Sequence, residues 1–447
     1  MTLRVAVVGG GIAGVGAAWS ASRHGHSVDL FEARDDLGGN ARVHEWTHGE
    51  RTLTAGLAVL AWPRAYFRSY VRLLETLGIA TEPVRLRFFI HKQGATYAHD
   101  RGGALYERHR ADFDRWRTLV QRIRTFNARV SPGPASLYRV SYWNPATYIP
   151  GWQLARLSGI SRAFWDDIVV ALYSSSFLTS KLDALPAFVL PTIDDLISVD
   201  SGGTMDTWTG HSGEVFEKML ASLTGTLHRD RAVTRIEPGT IITLTDSRGE
   251  RHTYDRVILA ADAARMAAAL PTSAVAKLLR AITYVEATDR SFVEGVAHAD
   301  ASVLPAAHRD TILADYCTAI DVTERGYRNH FVVSSWAPVA RGTGATMLVS
   351  YNEPTVPTGS TFRFSNQGAH PDLSLRNLLT ARRLAARQGE GGLYFCGSYM
   401  TPGNGHDLSL LSGLVAASAL GAPFPFAGDP DANADYLRLR GMLLRTQ

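Results

Sequence analysis

The fold is decided by residues 3–32, whose sequence is LRVAVVGGGIAGVGAAWSASRHGHSVDLFE. The apolar run before Gly9 predicts a buried strand, the small residues from Ala13 to Arg23 predict a helix, and residues 28–32 predict a second strand. A strand, a glycine turn, a helix and another strand within about thirty residues predict a right-handed βαβ unit.

The spacing Gly9-x-Gly11-x-x-Gly14 indicates what this unit binds. Gly9 permits a tight turn, Gly11 lets the backbone approach a pyrophosphate, and Gly14 lets the helix pack closely on the strand. The phosphates then lie at the helix N-terminus. Glu32, at the end of the second strand, is placed to accept hydrogen bonds from a ribose and to repel a 2′-phosphate, which disfavours NADP. These residues alone leave NAD and FAD open.

The residues after this acid favour FAD. Residues 32–42, EARDDLGGNAR, resemble the extended FAD fingerprint of the amine oxidase and phytoene desaturase superfamily, in which a Gly-Gly pair faces the phosphates. Members usually carry arginine directly after that pair, whereas this chain has Asn40 there and Arg42 two residues later. The resemblance implies non-covalent FAD, and the cofactor contacts it implies in this region are Ile12, Ala13, Ala33, Arg34, Gly38, Gly39, Asn40, Ala41 and Arg42.

Two later segments resemble the same superfamily, in the same order. Val233, followed by a hairpin and the run VILAAD at 257–262, is similar to the segment that holds adenine, which implies contacts at Val233 and Ala260. Residues 393–399 and 405–417 are similar to the segment that faces the flavin. Its implied contacts are Gly397, Ser398, His406, Asp407 and Leu408.

The finer resemblance is to a bacterial branch of predicted NAD/FAD-binding proteins associated with modified fatty acids. His298-Ala299-Asp300, Asn352-Glu353-Pro354 and His370-Pro371 carry it. That branch usually has an aromatic residue before its His-acid pair, whereas Gly405 precedes His406 here. His298 and Asp300 are expected in a pocket, a turn or a surface loop.

His406 and Tyr399 are the candidate catalytic residues. His406 is expected at a loop-to-helix junction facing the flavin, as a general base or hydrogen-bond partner whose pKa Asp407 sets. A structural histidine that caps the helix is the alternative. Amine oxidation is disfavoured because the resemblance implies a lysine in the later substrate region, and this chain has no lysine after Lys277.

The predicted function is that of an FAD-dependent oxidoreductase that desaturates, or isomerises a double bond in, a hydrophobic acyl, polyene or natural-product substrate by hydride transfer to flavin. An aromatic-rich module suits such a substrate or forms ordinary core. Its aromatic residues are Phe164, Trp165, Tyr173, Phe177, Phe188 and Trp208. The alternatives are a flavin amine oxidase that releases hydrogen peroxide and a non-catalytic FAD-binding redox sensor.

The predicted fold class is α/β, with a discontinuous Rossmann-type FAD-binding domain and a second, mixed α+β substrate domain. The FAD-binding domain is assigned residues 1–84, 205–262 and 370–423, and the substrate-binding domain 85–204 and 263–369. Residues 424–447 are assigned to a C-terminal tail.

Composition narrows the partners and the location. A net charge of +4 in 447 residues is too small to indicate a nucleic-acid surface. Cys317 and Cys396 fit no metal-ligand spacing, so no metal site is predicted. The absence of a leader-like segment predicts a cytoplasmic protein. The arginine-rich amphipathic helix at 107–130 is either a solvated face or a peripheral contact with an anionic membrane, and the oligomeric state stays open.

Overall fold

The structure is a computed structural model that describes residues 2–130, 144–200, 202–359, 362–368 and 370–444. Residues 131–143 of the predicted substrate domain and 445–447 of the predicted tail lie outside the described residues. The strands, in chain order, are β1 Arg4–Val8, β2 Ser27–Phe31, β3 Val43–His48, β4 Arg51–Gly56, β5 Thr81–Arg85, β6 Phe88–Lys92, β7 Ala95–Ala98, β8 Thr204–Trp208, β9 Leu227–His228, β10 Val233–Glu237, β11 Ile242–Asp246, β12 Arg251–Tyr254, β13 Arg256–Leu259, β14 Glu294–His298, β15 Thr318–Thr323, β16 Gly326–Val332, β17 Leu348–Tyr351, β18 Phe362–Ser365 and β19 Leu393–Phe395.

The α-helices follow the same chain order. They are α1 Ile12–Arg23, α2 Arg68–Thr76, α3 Ala104–Val130, α4 Gly151–Leu157, α5 Arg162–Phe164, α6 Ala171–Phe177, α7 Leu190–Ile197, α8 Gly213–Leu220, α9 Ala263–Ala269, α10 Ala274–Ala281, α11 Arg309–Asp315, α12 Val333–Trp336, α13 Leu375–Ala385, α14 His406–Ser418 and α15 Pro430–Leu443. A π-helical turn, Trp165–Val170, joins α5 to α6.

The first sheet has the strand order β19-β13-β1-β2-β9, and all of its pairs are parallel. The central strand β1 is buried from Val5 to Val8, as a strand covered on both faces must be. The chain then turns at Gly9, whose φ of +116° favours glycine, and enters α1. The prediction of an α/β fold with a Rossmann-type domain is confirmed.

The second sheet has seven strands in the order β18-β14-β17-β16-β15-β6-β7, with one parallel pair, β15 and β6. One of its faces carries Phe331 and Tyr351, which line a cavity against the first domain. The opposite face includes Leu348 and Val332 and packs against Ile312 of α11. The helical module from α3 to α7 forms a separate apolar cluster beside this sheet.

Two segments pack with the Rossmann sheet, although the predicted boundaries place them elsewhere. Met266 of α9 and Leu279 of α10 belong to the apolar cluster that contains β1. Residues 424–443 join the same cluster through side chains that include Tyr436 and Leu439 of α15. Apolar burial therefore draws both segments to the first domain.

Across the part of the chain that the structure describes, no helix combines the length and the apolar sequence needed to cross a bilayer.

Helices α1 and α14 approach each other at backbone distance. A Cβ built on Gly413 of α14 would lie 2.0 Å from the carbonyl oxygen of Ala13, so only glycine fits there. At Gly16 of α1, a Cβ would meet the Cδ1 end of Leu410 at 2.7 Å, which is a flexible side-chain end.

We expect Gly413→Ala to lower the free energy of unfolding by about 3 kcal/mol, because backbone atoms must move apart. Gly16→Ala should cost under about 1 kcal/mol, because Leu410 can change rotamer and alanine favours helix. The midpoints of thermal unfolding of the two variants measure the difference. Equal losses would contradict the backbone contact.

Candidate functional site

One cavity of about 530 Å³ begins at the glycine turn and runs between the Rossmann domain and the second sheet. Most of the predicted cofactor residues line it. These are Gly9, Gly11, Ile12, Ala13, Glu32, Ala33, Arg34, Gly38, Gly39, Asn40, Ala41, Arg42, Val233, Ala260, Gly397, Ser398, His406 and Leu408. Gly14 and Asp407 do not line it. A Cβ on Gly14 would lie 1.9 Å from the carbonyl oxygen of Gly9, so Gly14 permits close packing of helix and turn.

The N-terminus of α1 opens into this cavity. Gly11 precedes the helix and gives it no side-chain cap, so the first N–H groups of α1 remain available to a ligand. A Cβ on Gly11 would meet the protein only at Gly39 Cα, 3.8 Å away. The Gly38 N–H donates to the Gly10 carbonyl over 2.9 Å, which fixes the second glycine turn against the first. The residues present therefore fit a pyrophosphate at the start of α1.

Glu32 is held by backbone groups at the rim of the same region. Its Oε2 accepts from the Gly10 N–H over 2.7 Å, and its Oε1 accepts from the Arg34 N–H over 3.0 Å. Each carboxylate oxygen has a second lone pair, so these bonds leave acceptor capacity for ribose hydroxyls. The carboxylate is thus oriented before a ligand binds.

Arg42 connects the second glycine turn to the second sheet. Its Nε donates to the Gly39 carbonyl over 3.2 Å, and its Nη2 donates to the Ser365 carbonyl over 3.2 Å. Arg34 Nη2 donates to the same Gly39 carbonyl over 3.1 Å. Burial and the neighbouring Arg34 lower the pKa of Arg42, but a guanidinium keeps its charge in proteins. An arginine three residues after the Gly-Gly pair therefore still reaches the turn and lines the cavity.

His406 is the first residue of α14 and lines the cavity. Its ring packs edge-to-face on Tyr70, with 4.8 Å between centroids. Its Nε2 is buried and has no hydrogen-bond partner among the described residues. Burial lowers the pKa of His406 to about 3, so the imidazole is neutral at physiological pH. A buried ring nitrogen without a partner beside a cavity indicates a site for one hydrogen bond from a ligand.

The prediction that Asp407 sets the pKa of His406 is wrong. Asp407 Oδ1 accepts from the Tyr70 N–H over 2.6 Å, in the first turn of α2. Consecutive helical residues point in different directions, so neighbours in sequence do not face each other. Asp407 therefore stabilises the start of α2, and burial determines the pKa of the histidine.

Tyr399 is among the residues that line the cavity, and its hydroxyl bonds the backbone. The Tyr399 Oη donates to the Leu259 carbonyl over 2.8 Å at the end of β13. Burial raises the pKa of Tyr399 well above its ordinary value, so the phenol stays protonated. This bond fixes the Gly397 loop to the Rossmann sheet. A catalytic role for Tyr399 stays a prediction.

Several cavity residues were not identified from the sequence as site residues. His370 lines the cavity, its Nδ1 is buried without a partner among the described residues, and burial lowers its pKa to about 4. Val59 and Leu178 also line it, with φ values of +54° and +49° that such residues rarely adopt. These positions lie on separate loops, and only the family likeness at His370-Pro371 gave any signal.

Other candidates lie away from the cavity. His298 is buried on the far face of the second sheet, where its Nε2 is 2.7 Å from Ser350 Oγ, and Asp300 caps the short helical turn 301–303. Of the predicted aromatic set, Phe177 and Phe188 line the cavity. The others, Phe164, Trp165, Tyr173 and Trp208, belong to the apolar clusters.

Comparisons with known proteins agree with this arrangement. A family described as NAD(P)-binding Rossmann-like domain matches residues 7–77. A fatty acid isomerase from P. acnes that produces CLA is 14% identical, with a TM-score of 0.65 over 94% of this chain and 98% of that one. Wild-type putrescine oxidase bound to putrescine is 16% identical, with a TM-score of 0.64 over 95% and 100%.

Reduced UDP-galactopyranose mutase is 12% identical, with a TM-score of 0.64 over 97% of this chain and 99% of that one. No curated protein matches the chain. The resemblance to the amine oxidase superfamily is therefore confirmed at the level of the fold. Together with the Rossmann-like match, it supports FAD as the cofactor.

Gly11 and Gly14 make a matched pair for testing the pyrophosphate position. We expect Gly11→Val to fold and to lose FAD, because the new side chain fills space that is free of protein atoms. Gly14→Ala should instead lower the thermal midpoint of the apoprotein, because its Cβ overlaps the Gly9 carbonyl. FAD content after gel filtration and thermal unfolding of the apoprotein separate the two effects. A Gly11→Val protein that retains stoichiometric FAD would contradict the placement.

The pKa of His406 gives a pH-dependence with a defined sign. Because the folded state holds the neutral ring, its contribution to stability is present above the unfolded pKa of about 6.5 and is lost as pH falls from there toward 3. We expect its ring resonances to stay unshifted between pH 5 and 8. His406→Gln should lose less stability than the wild type between pH 7 and 5. A histidine titration assigned to His406 near pH 6.5 would refute the buried neutral state.

Proposed function

We propose that this chain is an FAD-dependent oxidoreductase that desaturates, or shifts a double bond in, a hydrophobic acyl, polyene or natural-product chain. The carrying observation is that one cavity is lined by the glycine turn, by His406 and by an apolar set of side chains that we call the chamber. The chamber is lined by side chains of the helical module and the second sheet, which include Leu86, Phe88, Phe177, Phe188, Ile193, Leu196 and Phe331.

The distribution of charge along the cavity supports an apolar substrate. Among the described residues that line it, every aspartate, glutamate and arginine lies in the Rossmann part of the chain. They are Glu32, Arg34, Arg42, Arg231, Asp262 and Arg265. A cation placed in the chamber would lose its hydration without gaining a carboxylate partner, which is costly. An uncharged hydrocarbon chain has no charge to desolvate and gains free energy from apolar burial.

FAD, when bound, supplies a ring system that accepts a hydride from a substrate carbon. The residues of this chain position the reacting carbon and exclude water, because the chamber walls are apolar and largely buried. His406, which lines the same cavity, offers one hydrogen bond at Nε2 of a neutral ring. With its pKa near 3, this ring is better suited to hold a polar atom by hydrogen bonding than to carry a proton at neutral pH.

Amine oxidation is the rival reaction, and the cavity offers it less support. No lysine occurs among the described residues that line the cavity. The hydroxyl of Tyr399 donates its proton to the Leu259 carbonyl of β13, so it is not available as a donor to an amine nitrogen. Among the described residues of the chamber there is also no acid to recognise a diamine.

The experiment mixes anaerobic holoenzyme with monounsaturated and polyunsaturated fatty acids, a carotenoid precursor polyene, and putrescine. We expect an apolar substrate, and not putrescine, to react. Flavin bleaching with a product two hydrogens lighter identifies desaturation, whereas unchanged product mass with a moved double bond identifies isomerisation. Bleaching by putrescine alone, with peroxide formed in air, would instead identify an amine oxidase, and no reaction with any compound would favour the redox sensor.

His406→Ala tests the role of His406 in the same assay. If the imidazole acts on the substrate, the variant retains FAD but reacts at least roughly a hundredfold more slowly per bound flavin. If it only supports the fold, FAD occupancy or stability falls while the rate per bound flavin is unchanged.

A further inference from the structure

Four arginines of α3 recur at an interval of seven residues. They are Arg108, Arg115, Arg122 and Arg129, and all four are exposed. An α-helix drifts by only about 20° per seven residues, so these side chains form one stripe along α3. We call this the arginine stripe.

Ion pairing does not account for the stripe. Arg115 pairs with Asp112 at 3.0 Å, but no carboxylate of the described residues lies within 4 Å of Arg108, Arg122 or Arg129. The arginines beside the stripe differ, because Arg110, Arg117 and Arg124 each pair with at least one acid. A solvated, ion-paired face therefore explains the flanking arginines and leaves the stripe with surplus positive charge.

Exposed apolar side chains lie on the stripe or next to it. Phe126 is 40% exposed and stands one helical turn from both Arg122 and Arg129. Leu157, at the end of α4, is 72% exposed. The turn after α4 lies next to Arg115, since a Cβ on Gly159 would be 3.8 Å from Arg115 Cδ. Single exposed apolar residues are common, but guanidinium groups alternating with exposed apolar side chains are typical of helices that lie in a membrane interface.

The inner face of α3 packs against the wall of the apolar chamber. Trp116 Nε1 donates to Asp194 Oδ1 of α7 over 2.8 Å, and Asn127 Nδ2 donates to the Phe188 carbonyl over 3.0 Å. Phe188 and several residues of α7 line the cavity. The helix that carries the arginine stripe therefore packs directly on segments that line the chamber.

We infer that the arginine stripe, with Phe126 and Leu157, docks the protein on an anionic lipid bilayer. The guanidinium groups attract lipid phosphates, and the two apolar side chains enter the upper acyl region. A nucleic acid or an acidic protein would match the charge but would not require the exposed apolar residues. The docking itself is independent of the proposed chemistry, although it would bring a lipid-dissolved substrate within reach of the chamber.

Vesicle co-sedimentation of the FAD-loaded protein tests this inference. Vesicles of phosphatidylcholine containing roughly one third phosphatidylglycerol should bind the protein, pure phosphatidylcholine should not, and raising NaCl from about 0.1 to about 0.5 M should release it. Arg122→Gln/Arg129→Gln should lower the partition coefficient roughly tenfold or more. Phe126→Ser should lower it roughly threefold to tenfold.

The matched control is Arg235→Gln/Arg251→Gln, which removes the same charge from side chains that are 69% and 65% exposed in the hairpin of β10 to β12. It should bind as the wild type does, and unchanged thermal midpoints should show that all variants fold. Equal binding by the control and the stripe variant would overturn the inference. So would binding to a DNA duplex that depends on the same arginines, with vesicle binding insensitive to Phe126. Co-sedimentation measures vesicle binding and not catalysis. A negative result would therefore contradict the membrane docking without bearing on the proposed reaction.

Discussion

At Gly413 the backbone of α14 reaches the carbonyl of Ala13 in α1, and this contact sets the spacing of two helices that both begin at the cavity. Helix α1 starts after Gly11 and α14 starts after Gly405, and neither preceding residue supplies a side-chain cap. Both helices therefore direct the positive ends of their dipoles toward the same cavity. This one backbone contact therefore fixes the distance between the phosphate region at the start of α1 and His406 at the start of α14.

The local parts of this site were predictable, and the long-range parts were not. Three glycines, a helix of small residues and a terminal acid lie within thirty residues, so the turn and Glu32 follow from short-range rules. Asp407 accepts from the Tyr70 N–H, 337 positions away, and no local pattern signals this contact. Val59, Leu178 and His370 reach the cavity only because distant loops pack together.

His298, which was identified by resemblance as a possible pocket residue, has a structural role in the second sheet instead. The Asp300 N–H donates to His298 Nδ1, so Nε2 carries the proton and donates to Ser350 Oγ. The Ser350 hydroxyl then donates to His330 Nδ1 over 2.8 Å. Burial lowers the pKa of both histidines, to about 4 and about 3, which keeps them neutral. The chain of bonds ties β14, β17 and β16 together on the face remote from the cavity, so these residues order the second sheet.

Arg42 couples cofactor binding to the association of the Rossmann domain with the second sheet. Its guanidinium bonds the Gly39 carbonyl of the cofactor turn and the Ser365 carbonyl at the end of β18. Thermodynamic linkage is reciprocal. If the contact between Arg42 and the second sheet increases the affinity for a dinucleotide, binding of the dinucleotide stabilises that contact by the same free energy. Cofactor binding would then stabilise the association of the two domains. A substitution that destabilises the second sheet near β18 would in turn weaken cofactor binding.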